Sequence, residues 1–315
     1  MDEKQKCISI MVPTYNEEEN VIPLSEAIIA EFAKSLPEYD YEILFIDNCS
    51  TDTTREKLEA LCAGNKKIKA IFNARNFGQF SSPYYGICQT SGDCTIPLCA
   101  DFQDPIEMIP VLVHKWEEGY KVLCAVKSTS KENKVMRFLR TCYYKLIRST
   151  SSVDQIEHFT GFGLYDKSFV DVLRSLDDPT PFLRSVVAEY GFQRGIVEYE
   201  QAERRAGKTH NNFSTLYDAA MLSFTSYTKF PIRWFTYLGI FLGLLSGAGL
   251  VTTGVLALCG VNVGLWALAS LVGVFGSINT VFIGIVGEYV LNMKGKILRR
   301  PLVIEEKRFN LPEKK

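Results

Sequence analysis

Histidine is scarce in this sequence, and paired cysteines are missing. Only three His occur, and the nine Cys show no C-x-x-C and no zinc-ligand spacing. A reduced compartment therefore fits better than a disulfide framework, and no zinc site is expected. Neither sign of charge dominates: 35 Lys and Arg face 36 Asp and Glu. That balance argues against a nucleic-acid binder, which is usually basic. Internal repeats and low-complexity tracts are absent. A polar stretch, Met1 to Lys6, leads straight into a strand-like run, so no signal peptide is expected.

The most telling absence is local. From Trp234 to Gly287 there is no Asp, Glu, Lys, Arg or His. This is room for two spanning helices of about 20 residues each, with a turn at Cys259 to Gly264. Lys229 and Arg233 precede the first span; Lys294, Lys296, Arg299 and Arg300 follow the second. Positive residues mark the cytoplasmic side. Both termini and the large N-terminal domain are thus expected in the cytoplasm, on a multi-pass inner-membrane protein. Before the first span, Phe213, Leu216, Tyr217, Ala220, Met221, Phe224, Tyr227 and Phe230 share one helical face. That face suits the membrane interface or ordinary packing on the domain. The expected organisation is an α/β domain over 1–211, an amphipathic helix over 212–232, two spans within 233–293, and a short polar tail over 294–315.

What is present in the first 200 residues is alternation of strand and helix signals, the pattern of a mostly parallel sheet. Strand-like runs cover Cys7 to Val12, Tyr41 to Ile46, Ile68 to Phe72 and Cys94 to Ala100, with later ones at Lys121 to Val126 and Arg194 to Tyr199. Helices are expected from Glu17 to about Lys34, Thr53 to about Ala63, Phe80 to Thr90, and from Ile106 to about Glu118. Thr160 to Asp166 reads as a Gly-bearing turn. The first four strands each end in polar residues, and in an open α/β sheet that edge is the ligand crevice.

The richest strand end is Cys99-Ala100-Asp101-Phe102-Gln103-Asp104-Pro105-Ile106-Glu107. Asp101 and Gln103 are two apart, so in an extended segment they point the same way. Hard cations take such oxygens together with substrate phosphates. The competing reading is an acidic turn that caps the following helix. Glu17 is likewise a ligand or a helix-start acid, and Asp47 a ligand or an Asx turn. Further on, Lys131, Lys134, Arg137, Arg140, Lys145 and Arg148 form either a solvated basic face or an anion site.

Taken together, the motifs resemble an inverting glycosyltransferase of family 2 with the Rossmann-like GT-A fold. More narrowly, they resemble the polyprenyl-phosphate glycosyltransferases. The likeness is carried by Val12-Pro13-Thr14-Tyr15-Asn16-Glu17, Ile46 to Asp52, Arg75-Asn76-Phe77-Gly78-Gln79, Ser91-Gly92-Asp93 and Asp101 to Glu107. Near the end, Gly284 to Tyr289 and Arg300-Pro301-Leu302-Val303-Ile304 match two-span bacterial members. The resemblance implies nucleotide-sugar contacts from Pro13, Tyr15, Glu17, Asp47, Arg75, Asp93 and Asp101. It implies Mg²⁺ or Mn²⁺ on Asp101 and Gln103, and a mobile acceptor loop at Arg204 to Thr209. Lipid phosphate would meet Arg137, Arg140, Arg204 and Lys208, with Asp101, Arg204 and Arg205 catalytic; His210 stands where a Lys is usual.

Three departures accompany the match. Cys99 occupies the first place of the usual Asp-Ala-Asp, and is read as a small apolar residue. Gly161 stands where relatives often have Asp, and Gly163 where Arg is common; Glu157 or Asp166 is available to compensate. The expected activity is transfer of a sugar from a UDP- or GDP-sugar, UDP favoured, to a membrane polyprenyl phosphate for envelope glycan or protein glycosylation. A homo-oligomer is compatible with the small residues of the spans. The alternatives are a catalytically impaired nucleotide-sugar-binding scaffold and a processive polysaccharide synthase. For the latter, Arg233-Trp234 is present, but Phe230 holds the place of a Gln.

Overall fold

Strand β1 (Cys7–Thr14) shows how a period of two becomes two layers. Ile8, Ile10 and Val12 are buried in one core, while Met11 belongs to another on the opposite face. Strand β2 (Asp40–Asp47) repeats the pattern, Ile43 and Phe45 facing one way, Leu44 and Ile46 the other. Side chains alternate across a strand, so a sheet apolar on both faces needs cover on both. Helices α1 (Val21–Ser35), α2 (Thr54–Gly64) and α4 (Met108–Glu117) bury Leu24, Ile28, Leu58 and Leu112 on the first face. Helices α3 (Gly78–Gln89), α5 (Lys167–Ser175) and α6 (Leu183–Glu189) bury Tyr84, Phe169 and Val186 on the second.

The remaining strands are β3 (Ile68–Asn73), β4 (Cys94–Pro97), β5 (Val122–Lys127), β6 (Phe159–Asp166), β7 (Arg194–Tyr199) and β8 (Glu305–Phe309). The sheet order is β7-β5-β6-β4-β1-β2-β3-β8. Pairs β4–β1, β1–β2, β2–β3 and β5–β7 are parallel; β6 and β8 run antiparallel to their neighbours. The carboxyl ends of β1, β2, β3, β4, β5 and β7 therefore share one edge. This computed structural model describes residues 5–128, 156, 159–176, 181–190, 193–202, 205, 221, isolated helical positions between 272 and 293, and 301–312. Two compact units divide the chain, and the sheet belongs to the one comprising Met1–Tyr144, Asp154–Asn212 and Arg299–Lys315.

The α/β class and the strand-helix alternation agree with the sequence, and four details differ. Helix α1 begins at Val21 rather than Glu17, because Asn16 adopts φ 55° and turns the chain before the helix can start. Strand β4 stops at Pro97: Leu98 N–H still donates to Met11 O at 2.9 Å, but Cys99 N–H turns to the Asp104 carboxylate at 3.1 Å. Thr160 to Asp166 is strand, not turn. Its Gly163 packs so tightly on β5 that a Cβ there would lie 2.0 Å from Leu123 O. Gly161 has φ +104°, a backbone region that a side chain disfavours. Both departures from the family pattern thus have a backbone cause.

The tail is the fourth difference. It is not merely polar, because β8 pairs antiparallel with β3 and closes that side of the sheet. Val303 is buried, and Ala74 N–H donates to Ile304 O at 2.9 Å. Among the described residues no helix is long and apolar enough to cross a membrane. The expected amphipathic helix over 212–232 and spans within 233–293 lie outside the described residues, apart from Met221 and positions between 272 and 293. At those positions Val272, Ile283, Val290 and Met293 are helical and exposed.

Candidate functional site

The crevice edge is built by stitching one loop to the next. Asn16, after β1, donates its N–H to Ser50 Oγ at 2.9 Å and accepts from Thr51 N–H at 2.8 Å. Glu17 N–H donates to Thr54 Oγ1 at 2.9 Å, and Lys57 Nζ to Glu18 O at 2.8 Å. Glu18 also accepts from Thr53 N–H at 3.1 Å, and the bonds from Thr53 hold its carboxyl below the ordinary range. The loops after β1 and β2 therefore behave as one piece. Asn48 joins the third: it accepts from Phe77 N–H at 2.9 Å and donates to Asn76 Oδ1 at 2.9 Å. Beside it Arg75 is exposed, its guanidinium 4.3 Å from the Phe77 ring centre.

Asp47 sits at the end of β2 with no exposed surface. Its carboxylate accepts from Ser50 N–H at 3.0 Å, from Ser50 Oγ, and from Arg55 Nε at 2.7 Å. In this geometry the carboxylate organises the turn that borders the crevice. Asp93 lies away from that edge. It stands at the amino end of β4, where it accepts from Cys7 N–H at 2.9 Å, on the edge opposite the crevice. Asp166 shares that far edge, opposite Cys94, and accepts from Trp116 Nε1 at 2.7 Å and Lys121 Nζ at 3.2 Å. It caps α5 and does not replace the missing Asp at 161.

The loop after β4 carries the hard oxygens. Asp101 is 5% exposed, and its Oδ1 accepts from Gln103 N–H at 3.2 Å. Phe102 between them takes φ 60°, uncommon for a residue with a side chain. Asp104 is buried and accepts from Cys99 N–H at 3.1 Å and Tyr199 OH at 3.2 Å. Burial raises its carboxyl above the ordinary range, although those bonds and Lys127 pull the other way. The Cys99 residue keeps solvent exposure; desolvation by the surrounding protein, and then the Asp104 and Asp101 carboxylates, push its thiol well above the usual value.

The segment after β7 lies along this loop. Ala202 N–H donates to Gln103 O and Arg205 N–H to Asp101 O, both at 3.2 Å. The Arg205 guanidinium lies over the Phe102 ring, 5.1 Å from its centre. Lys127, at the end of β5, reaches Gln201 Oε1 at 2.8 Å. Pro13, Tyr15, Glu17, Arg75, Asp101, Gln103 and Arg205 thus share the crevice edge. Arg137, Arg140, Glu157, Arg204, Lys208 and His210 lie outside the described residues. Asp104, Tyr199 and Lys127 were missed by sequence reasoning; for the last two the signal was a polar residue ending a strand. Among the described residues no three His, Cys, Asp or Glu gather as a metal cluster.

Comparison with known proteins adds lineage to this geometry. The model of "Glycosyl transferase family 2" matches residues 9–173. The SfII prophage-derived bactoprenol glucosyl transferase of Shigella flexneri is 32% identical over 304 residues, covering 95% of this chain and 97% of that protein. The putative glycosyltransferase CsbB of Bacillus subtilis (strain 168) is 33% identical over 313 residues, covering 99% and 94%. Among solved structures, mannosyl-3-phosphoglycerate synthase from Rubrobacter xylanophilus aligns with TM-score 0.50 and 16% identity, covering 69% of this chain and 71% of that one. That likeness concerns the GT-A-like α/β fold alone.

Proposed function

Because the chain belongs to glycosyl transferase family 2 and is a glycosyltransferase, we propose that it moves a sugar from a nucleotide diphosphate sugar, UDP-sugar favoured, to a polyprenyl phosphate in the membrane. The acceptor class follows the relatives named as bactoprenol glucosyl transferases. The observation that carries the reading is the pair of backbone bonds from Ala202 and Arg205 to Gln103 and Asp101. They set the loop suited to the leaving diphosphate against the segment suited to the acceptor phosphate. Reaction at a sugar carbon needs those two stations side by side.

A divalent metal fits the donors at hand. Asp101 offers a carboxylate and Gln103 an amide oxygen, and Mg²⁺ is commonly held by one or two carboxylates plus substrate phosphates, without a protein cage. Cys99, a protonated thiol, is a poor partner for Mg²⁺ or Mn²⁺. When bound, the ion supplies positive charge to the departing diphosphate. The chain's own residues do the rest. Arg75 is an exposed cation on the nucleotide side, and Arg205 one on the acceptor side. From the sequence, Arg137, Arg140, Arg204 and Lys208 join the latter. A lipid phosphate is already an oxyanion near pH 7, so these cations position and desolvate it and no strong base is required. A single in-line displacement inverts the anomeric centre. The uncharged run at 234–287 supplies the anchor in this reading, with the catalytic domain and both termini in the cytoplasm.

Incubating membranes that contain the chain with labelled UDP- and GDP-sugars plus Mg²⁺ or Mn²⁺ tests the proposal. Label in an acid-labile lipid supports it and names the sugar. Nucleotide-sugar binding without transfer would favour the scaffold, for which Cys99 and Gly161 speak.

A further inference from the structure

Strand β8 reaches into the donor side of the crevice through one side chain. Arg55, in the first turn of α2, spreads its three guanidinium nitrogens over three partners. Nε donates to Asp47 Oδ2 at 2.7 Å, Nη1 to Glu306 Oε2 at 2.9 Å, and Nη2 to Asn73 O at 2.6 Å. The Phe72 ring lies 5.0 Å from its Cζ. Asp47 passes the constraint on to Ser50, whose hydroxyl also accepts from Asn16 N–H. A chain of bonds thus runs from the C-terminal strand to the loop that carries Tyr15 and Glu17. From Glu306 on β8 and Arg55 on α2, the links converge on residues at the ends of β1, β2 and β3, where the nucleotide is proposed to bind.

We propose that Arg55 is a positioning residue of the donor site and that Glu306, on the strand following the uncharged run, fixes its orientation. The proposal rests on the reading of this crevice as the nucleotide site. Asp47 has no exposed surface, so its effect on a ligand is exerted through the turn at Asn48 to Ser50. Arg55 aims a fork at three separate acceptors, an arrangement one Lys ammonium cannot reproduce. The C-terminal strand then contributes to donor affinity as well as to the sheet edge.

The test is titration of purified full-length protein in detergent with UDP, and with GDP, in the presence of Mg²⁺, paired with thermal unfolding. Glu306→Ala and Arg55→Lys are expected to weaken nucleotide binding about 3- to 10-fold, the usual size of coupling within one hydrogen-bonded network. Glu306→Asp is expected to recover part of the loss. Lys307→Ala is the control on the same strand; its contact to Glu59 is long, 3.7 Å, and exposed, and binding should not change. If Glu306→Ala and Arg55→Lys lower the unfolding temperature but leave nucleotide affinity at the parent value, their role is structural and the proposal is overturned. A parent protein that binds neither UDP nor GDP overturns the nucleotide reading itself, and the proposal with it.

Discussion

The guanidinium of Arg205 rests over the ring of Phe102, 5.1 Å from its centre, while the Arg205 N–H donates to Asp101 O at 3.2 Å. In the proposed reaction the residue at 102 would link the two halves: its backbone sits between Asp101 and Gln103, and its ring carries the Arg205 guanidinium. A cation over an aromatic face at an exposed site contributes about 0.5–1 kcal/mol. Phe102→Leu keeps the apolar bulk and removes the π face. Its expected effect is about a 2- to 5-fold rise in apparent KM for the lipid phosphate, from the same energy. The KM for the nucleotide sugar should stay near the parent value. Steady-state kinetics with each substrate varied in turn checks this.

Cys99 occupies a carboxylate's usual place in the family, yet the geometry gives it no charge to offer. Desolvation and the neighbouring Asp104 and Asp101 carboxylates hold its thiol protonated. Cys99→Ala is expected to retain at least about half of the transfer rate, since a neutral thiol contributes little to a hard cation. Transfer assays over a range of Mg²⁺ and Mn²⁺ concentrations measure this. A loss as deep as that of Asp101→Asn would show a role for the sulfur.

The far edge of the sheet gives a prediction for stability. Glu42 is buried; burial opposes its ionisation, but bonds from Lys69, Ser9 and Ser91 outweigh that and hold its carboxyl below the usual range. Ser9 Oγ, Ser91 N–H and Ser91 Oγ each reach it at 2.5 Å. With the folded value depressed, the stabilisation is present above the unfolded value of about 4.3 and is lost as pH falls through the folded value. At pH 7, Glu42→Gln should cost about 1–3 kcal/mol, the range for disturbing a buried bond to a charged group. The gap between parent and variant should narrow below about pH 4 as the parent carboxylate protonates. Denaturant unfolding at several pH values reads it, and a constant gap down to pH 3 would contradict it.

How much of this was legible beforehand follows from what each feature depends on. The strands at Ile43 to Ile46 and Ile68 to Phe72 are apolar apart from Lys69 and end in polar residues, so their place and the crevice edge could be read directly. Asp101 and Gln103, singled out by chemistry and motif, share the loop after β4. The place of Asp93 was not legible, because a motif gives order along the chain and not the edge of the sheet; only register with Ile8 and Cys7 sets it on the side opposite the crevice. Strand β8 could not be read from Glu305 to Phe309, where four of five residues are charged. Its pairing comes from tertiary partners: the buried Val303, the Glu305 carboxylate bonded by Tyr85 OH at 2.5 Å, and the Arg55 fork. Gly163 was noted as a departure, but its cause, the Leu123 carbonyl against it, lies on another strand.

The central claim is that the Asp101–Gln103 loop is where the sugar leaves its diphosphate for a lipid phosphate. The most direct measurement compares label transferred from nucleotide sugar into organic-extractable, acid-labile lipid by membranes holding the parent or Asp101→Asn. The account predicts robust labelling with the parent and a loss of about 100-fold or more with Asp101→Asn, the scale of removing a group that stabilises transition-state charge. Equal lipid labelling by the two proteins, at equal amounts in the membrane, would contradict it.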